Sequence, residues 1–225
     1  MMRSSVLGCG MRAAAASRYT SWMARFKNVV FDLGGVLIDW NPRYLYRDLF
    51  GGDEAAMEEF LTSVCTPDWN IQQDGGRLLS DAYAVLVQNH PEFKAHIEAW
   101  GPGFDRMMAG PVAGTVEILR ELRGRGTPLY ALSNWSDETF PHALRRFDFL
   151  GWFDSIVISG KLKVTKPDPR IYRHLLETHQ LVAGETVFID DAPHNVAGAA
   201  ALGIHALHFI DPAALRRSLV ELELL

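Results

Sequence analysis

Polar residues stop three apolar runs in this chain. Asp32 closes VVFD, Ser133 and Asn134 close LYALSN, and Asp190 and Asp191 close VFIDD. A lysine, Lys166, lies between the last two in TKPDP. Apolar runs of this kind read as strands buried on both faces. In open parallel sheets ligands sit just beyond the carboxyl ends of such strands. The spacing therefore directs Asp32, Ser133, Asp190 and Asp191 to one crevice, where a loop lysine can join them. Three carboxylates that close raise one another's pKa or require a cation. Lys166 brings one positive charge, and a phosphate would add about two negative ones. The balance calls for a divalent cation, and an all-oxygen set suits Mg²⁺. Asp32 then has the chemistry of a nucleophile toward phosphorus. The Ser133 hydroxyl and nearby backbone N–H groups can hold phosphate oxygens while Lys166 offsets their charge.

These residues need a scaffold that brings distant segments together. Strands are predicted over Asn28–Leu33, Leu129–Ser133, Ser155–Ser159, Thr186–Asp190 and His205–Phe209. Helices alternate with them over Val112–Arg123, Asp137–Phe147, Pro169–Gln180 and Pro193–Leu202, and a last helix begins near Pro212. That alternation implies a parallel α/β sheet. Asp168 before Pro169 is an N-cap with proline at the first helical position. Gly203 is a stop for the alanine-rich helix before it, whose small side chains allow close approach to the sheet. Residues 41–110 hold no comparable strand. They read as helices Pro42–Phe50, Glu54–Val64, Leu78–Gln88 and Glu92–Trp100, separated by breakers at Gly51-Gly52, Thr66-Pro67-Asp68, Gly75-Gly76 and Gly101-Pro102-Gly103. The expected division is a core of 27–40 and 111–225 with an inserted helical subdomain over 41–110.

Composition narrows the function classes. The chain has 225 residues, 48% hydrophobic and 22% charged, which suits a globular protein with a sizeable core. A net charge of -5 argues against a general nucleic-acid surface. No apolar stretch reaches membrane-spanning length, because Asp32 and Asp39 interrupt the best one. Cys9 and Cys65 lack metal-site spacing and fit a reducing, cytoplasmic setting. Residues 1–26 differ, with Arg3, Arg12, Arg18 and Arg25, no acidic residue, and much Ser and Ala. That is the composition of an organellar transit peptide; the favoured reading is a mis-assigned start, with translation beginning at Met23.

FDLGG, LSN, the lysine of KPDP and IDD occur in an order that resembles the haloacid dehalogenase superfamily of hydrolases, most of which are phosphatases. The match runs from about residue 27 to 225, and the ordered set is far more specific than any one motif. The resemblance implies a Rossmann-like three-layer α/β sandwich with the Asp32 strand central. It also implies a helical cap inserted after Asp32, and QDGGRLLSDAY looks like part of such a cap. The subgroup it is most similar to comprises α-D-glucose-1-phosphate phosphatases and the N-terminal domains of soluble epoxide hydrolases. By this resemblance Asp32, Ser133 and Lys166 are catalytic, and Ser133, Asn134 and Lys166 bind substrate. Mg²⁺ would sit on Asp32, Asp190, Asp191 and the backbone carbonyl of Gly34. The substrate would be a small phosphorylated metabolite, and the protein a monomer or homodimer. One departure stands out. Most phosphatases of the superfamily carry an aspartate two residues after the nucleophile to protonate the leaving group; here that residue is Gly34. Poor leaving groups depend most on that proton. The glycine therefore favours anomeric, acyl or aryl phosphates, with a sugar 1-phosphate as the leading candidate, unless Asp39, a cap residue or a metal-bound water supplies the acid.

Plainer roles compete with these. Ser133 and Asn134 could also cap the helix near Asp137. Lys161 and Lys163 are expected to be solvated, Asn195 to buttress the acidic loop, and Trp135 to line the cap interface. Asp39 is expected at the hinge into the cap. Cys65 is expected to be a small buried residue, and Glu117, Arg120, Glu121 and Arg125 a solvated, weakly paired face. Two further functions share the scaffold. A 2-haloacid dehalogenase would use Asp32 to attack carbon without a metal, but its relatives lack the paired Asp190-Asp191 and usually place an aromatic at the position of Gly34. A non-catalytic binding protein would keep the site and lack turnover.

Overall fold

The computed structural model describes residues 25–225. The arginine-rich segment before them, with Cys9 and Met23, lies outside the described residues. Phe26 is already buried, with its ring 4.8 Å from that of His205.

The main sheet has the order β5-β4-β1-β6-β7, from β1 (Asn28–Phe31), β4 (Leu129–Ser133), β5 (Ser155–Ile158), β6 (Thr186–Asp190) and β7 (His205–His208). All its pairings are parallel, with Phe31 opposite Ala131 on one side and Ile189 on the other. Strand alternation explains why the sheet must be covered on both faces. Val29 and Phe31 of β1 and Val187 and Ile189 of β6 enter one core with Ile118, Leu119 and Leu122 of α6 (Ala113–Gly124) and Leu215 and Leu219 of α11 (Pro212–Glu221). Val30, Leu132 and Phe188 point the other way. They pack with Ile171, Tyr172 and Leu175 of α9 (Pro169–Thr178) and Ala199 of α10 (Pro193–Ala200). Each fully buried side chain of this size is worth about 1.5–3 kcal/mol. The result is the parallel α/β sheet that the alternating pattern implied, covered on both faces as in the three-layer sandwich that the resemblance implied.

The inserted helices are α1 (Arg43–Leu49), α2 (Glu54–Ser63), α3 (Pro67–Asp74), α4 (Leu79–Asn89) and α5 (Lys94–Glu98). They leave and return through β2 (Ile38–Trp40) and β3 (Met108–Pro111), which pair antiparallel with Asp39 opposite Gly110. β3 lies largely in a stretch expected to hold no strand. MAGP has no alternating pattern, and its pairing partner supplies the extended form. The helix α3 is the second difference. Thr66-Pro67-Asp68 reads as a breaker, yet it begins a helix. The Thr66 side chain accepts from the Trp69 N–H at 3.0 Å and Pro67 takes the first turn. Helix α7 (Phe140–Arg146) starts three residues later than expected, and a one-turn helix α8 (Ser159–Leu162) follows β5. Among the described residues no helix is long and apolar enough to cross a membrane.

Candidate active site

β1, β4 and β6 end side by side, and their last residues meet at one point. The Asp32 N–H still joins the ladder, donating to the Ile189 carbonyl at 2.8 Å. Its carboxylate then receives three donors on a single oxygen, Oδ1: the Leu33 N–H at 2.7 Å, the Ser133 hydroxyl at 2.6 Å and the Lys166 ammonium at 3.0 Å. Among the described residues Oδ2 has no hydrogen-bond partner.

Lys166 is 1% exposed, so its charge must be matched locally. It donates to the Leu132 carbonyl at 2.8 Å and to Asp190 Oδ2 at 2.6 Å, besides its contact with Asp32. Three ammonium protons thus meet three oxygens. Removing one member of a buried ion pair typically costs about 3–5 kcal/mol, so this cluster holds itself in place. Burial alone would lower the Lys166 pKa; Asp32 and Asp190 outweigh it and raise it.

The loop that carries Lys166 is clamped by Asn134. The amide donates to the Lys166 carbonyl at 3.0 Å and accepts from the Lys166 N–H at 2.7 Å. Neither Ser133 nor Asn134 caps α7; both side chains are committed to the crevice, and α7 begins without a side-chain cap. Lys161 and Lys163 are exposed, as expected. At the far side, Gly198 of α10 lies so close to Pro167 that a Cβ there would come within 2.9 Å of the proline ring. The small residues of α10 therefore let it press on the lysine loop.

Asp190 is fully buried. Besides Lys166 it accepts from the Ala192 N–H at 2.8 Å and the Asn195 amide at 3.1 and 3.2 Å, and Tyr172 in turn donates to the Asn195 carbonyl at 2.9 Å. Asn195 is the buttress its position suggested. Asp191 faces solvent at the rim. Its position depends on Gly35, which has φ +74°, where a Cβ would overlap the Asp191 carboxylate. Gly34 is different: its φ is outside the left-handed region, and a Cβ would meet nothing within 4 Å.

Oxygens of Asp32, Asp190 and Asp191 lie within 4.8 Å of one another. Burial first, then Asp190, push the Asp32 pKa up to about 7 against the opposing pull of Lys166 and Ser133. Desolvation and Asp190 raise Asp191 as well. Buried Asn195 Oδ1 has no partner among the described residues. A crowded, hard-oxygen set with too little positive charge fits a Mg²⁺ ion.

Above these residues lies a cavity of about 80 Å³ bordered by Gly34, Asn134 and Trp135 from the core and by Trp40, Asn70, Asp74 and Phe104. Trp135 lines it, while Trp69 packs edge-on against Trp100 at 5.0 Å. Asp39, in contrast, is exposed and takes the Tyr44 hydroxyl at 3.0 Å. Cys65 is buried, which pushes its thiol up to about 12. Asp74 is the residue the motifs did not single out. It closes α3, and the signal that could have found it is the Thr66-Pro67 helix start, which places the end of a helix at QDGG.

The arrangement has counterparts in known proteins. A family model described as haloacid dehalogenase-like hydrolase matches residues 26–203. The chain is 31% identical over 194 residues to the sesquiterpene phosphatase astK of Aspergillus oryzae, covering 84% of this chain and 92% of that one. It is 25% identical over 189 residues to (S)-2-haloacid dehalogenase 4A of Burkholderia cepacia, covering 79% and 80%. A haloacid dehalogenase family enzyme of Bacteroides thetaiotaomicron, solved as a magnesium complex, superposes with a TM-score of 0.64 at 23% identity, covering 83% of this chain and 94% of that one. With the ordered motifs gathered at the ends of β1, β4 and β6, and a family model spanning most of the chain, this protein belongs to the haloacid dehalogenase-like hydrolases.

Proposed function

We propose that the protein is a Mg²⁺-dependent phosphatase of small phosphate monoesters, with Asp32 as nucleophile. The observation that carries this reading is the Asp32 carboxylate: three donors hold Oδ1, and Oδ2 is left to attack. Asp190, Asp191, Asp32 and the Gly34 carbonyl would hold the metal, which when bound supplies charge neutralisation for the phosphate oxygens. Lys166 spends its protons within the protein, so it acts on phosphate through its charge. Ser133 orients Asp32, and Asn134 positions the lysine loop. Residues 41–110 act as a cap that shelters the crevice.

The cap also supports a substrate class. A second cavity, of about 360 Å³, lies among the inserted helices; its apolar walls include Trp40, Leu61, Ile71 and Trp100, and Arg43 and Thr62 border it as well. It shares Trp40, Asn70 and Asp74 with the cavity above Asp32. An apolar alcohol suits such walls, and the similarity to a sesquiterpene phosphatase supports the same reading. A sugar 1-phosphate is the alternative that Gly34 favours where no other residue supplies the proton.

The test is phosphate release from isoprenoid, aryl, alkyl and sugar monophosphates with Mg²⁺ and with excess chelator. Release confined to Mg²⁺, and fastest with apolar alcohols, is expected. Chelator-resistant halide release from 2-haloacids, with no phosphate release, would establish the dehalogenase instead.

A further inference from the structure

Gly34 leaves the departing alcohol without the acid that the family usually supplies from that position, and Asp39, the nearest replacement in sequence, is exposed and held by Tyr44. We propose that Asp74, delivered from the cap by α3, is the general acid that protonates the leaving oxygen. The assignment rests on the phosphatase reading above.

Three observations place it. Asp74 borders both cavities, the one over Gly34 and Asn134 and the apolar one among the inserted helices. A phosphate held at Asp32 with its alcohol in the second cavity puts the bridging oxygen at the junction. Asp74 is also fixed to the core. The Ser159 hydroxyl donates to the Asp74 carbonyl at 2.6 Å and accepts from the Trp135 N–H at 2.9 Å, tying the end of α3 to the Ser133–Trp135 turn. Gly76, two residues on, sits so close to the Gly160 carbonyl that a Cβ would come within 3.0 Å. Finally, the carboxyl is buried, and its one side-chain partner among the described residues is the Asn70 amide at 3.1 Å. Burial above all, with Asp32 adding to it and the Ser136 N–H and Lys166 opposing, lifts its pKa to about 7. It therefore has both forms available at neutral pH.

The steps balance. Asp32 Oδ2 bonds to phosphorus while the bond from phosphorus to the ester oxygen breaks. That oxygen keeps the electron pair and takes the Asp74 proton, and a neutral alcohol leaves. Water then attacks the aspartyl phosphate and gives a proton to the Asp74 carboxylate. Phosphate departs, and both side chains are restored.

The experiment measures kcat/KM for wild type and Asp74→Asn across aryl and alkyl phosphates of graded leaving-group pKa, with Mg²⁺. Wild type is expected to show a shallow dependence. Asp74→Asn should lose about 10²–10⁴-fold on alkyl esters and far less on p-nitrophenyl phosphate. With p-nitrophenyl phosphate the variant should also release a stoichiometric burst of phenol before a slow steady state, because the second step lacks its base. Equal loss on every ester with no burst, full activity of the variant on alkyl esters, or a steep dependence in wild type would overturn the assignment of Asp74 alone. A wild type inert toward every ester would instead overturn the phosphatase reading beneath it.

Discussion

At the residue scale the site is governed by how much charge is buried and which oxygens are already spoken for. Lys166 satisfies three acceptors, and Asp32 is held by one oxygen and, among the described residues, unpartnered at the other. That Asp32, Ser133, Lys166 and the Asp190-Asp191 pair gather at one point was readable from sequence, because each interrupts an apolar run or sits in a motif whose chemistry demands the others. Asp74 was not, because its meaning comes from burial against a distant turn. That burial has a measurable effect. Its pKa stands near 7 in the folded protein against an ordinary 3.8. A raised carboxyl favours the folded state fully below its unfolded pKa, and this contribution is lost as pH rises through the folded one. In urea unfolding with chelator, wild type should lose stability relative to Asp74→Asn between about pH 4 and pH 7 and run parallel to it above. A difference that does not change with pH would show that Asp74 titrates normally.

At the element scale, the regular α/β units were readable and the irregular ones were not. Strand β6 occupies the residues its apolar run marked, and α9 and α10 begin where Asp168-Pro169 and Pro193 indicated. Strand β3 and helix α3 were missed for a shared reason. MAGP and PDWNIQQD carry little periodic apolar signal and gain their structure from a partner strand and from a cap. The turn after β1 also divides two adjacent glycines by task. Gly35 is required by its positive φ and by the Asp191 carboxylate, whereas Gly34 has room for a side chain. Gly35→Ala should therefore cost about 1–2 kcal/mol of backbone strain and weaken Mg²⁺ affinity about tenfold or more by displacing Asp191. Calorimetric Mg²⁺ titration and urea unfolding check both effects. Gly34→Ala should bind Mg²⁺ more tightly than Gly35→Ala, and the reverse order would mean that Asp191 does not depend on the Gly35 turn.

At the scale of the whole molecule, the strand order explains why chemistry gathers at Asp32. The chain runs from β1 outward to β4 and β5, then returns to β6 and β7 on the opposite side. The crevice opens where the order reverses, beside β1, as the rule for open parallel sheets requires. The chain leaves the sheet through β2, which brings Trp40 to that crevice, and the inserted α3 brings Asn70 and Asp74 before β3 returns it. Alternation alone implied the sheet; the placement of the helical segment over the crevice came through family resemblance, because contacts across 41–110 leave no periodic trace in sequence. On the proposed reading, all of this positions one carboxylate to take a phosphoryl group. Protein quenched in acid during turnover with Mg²⁺, then digested and mapped, should carry that group on Asp32 in wild type. It should be absent from Asp32→Asn and from protein in chelator. Steady turnover with no phosphoryl group at Asp32, or with full rate in Asp32→Asn, would contradict it.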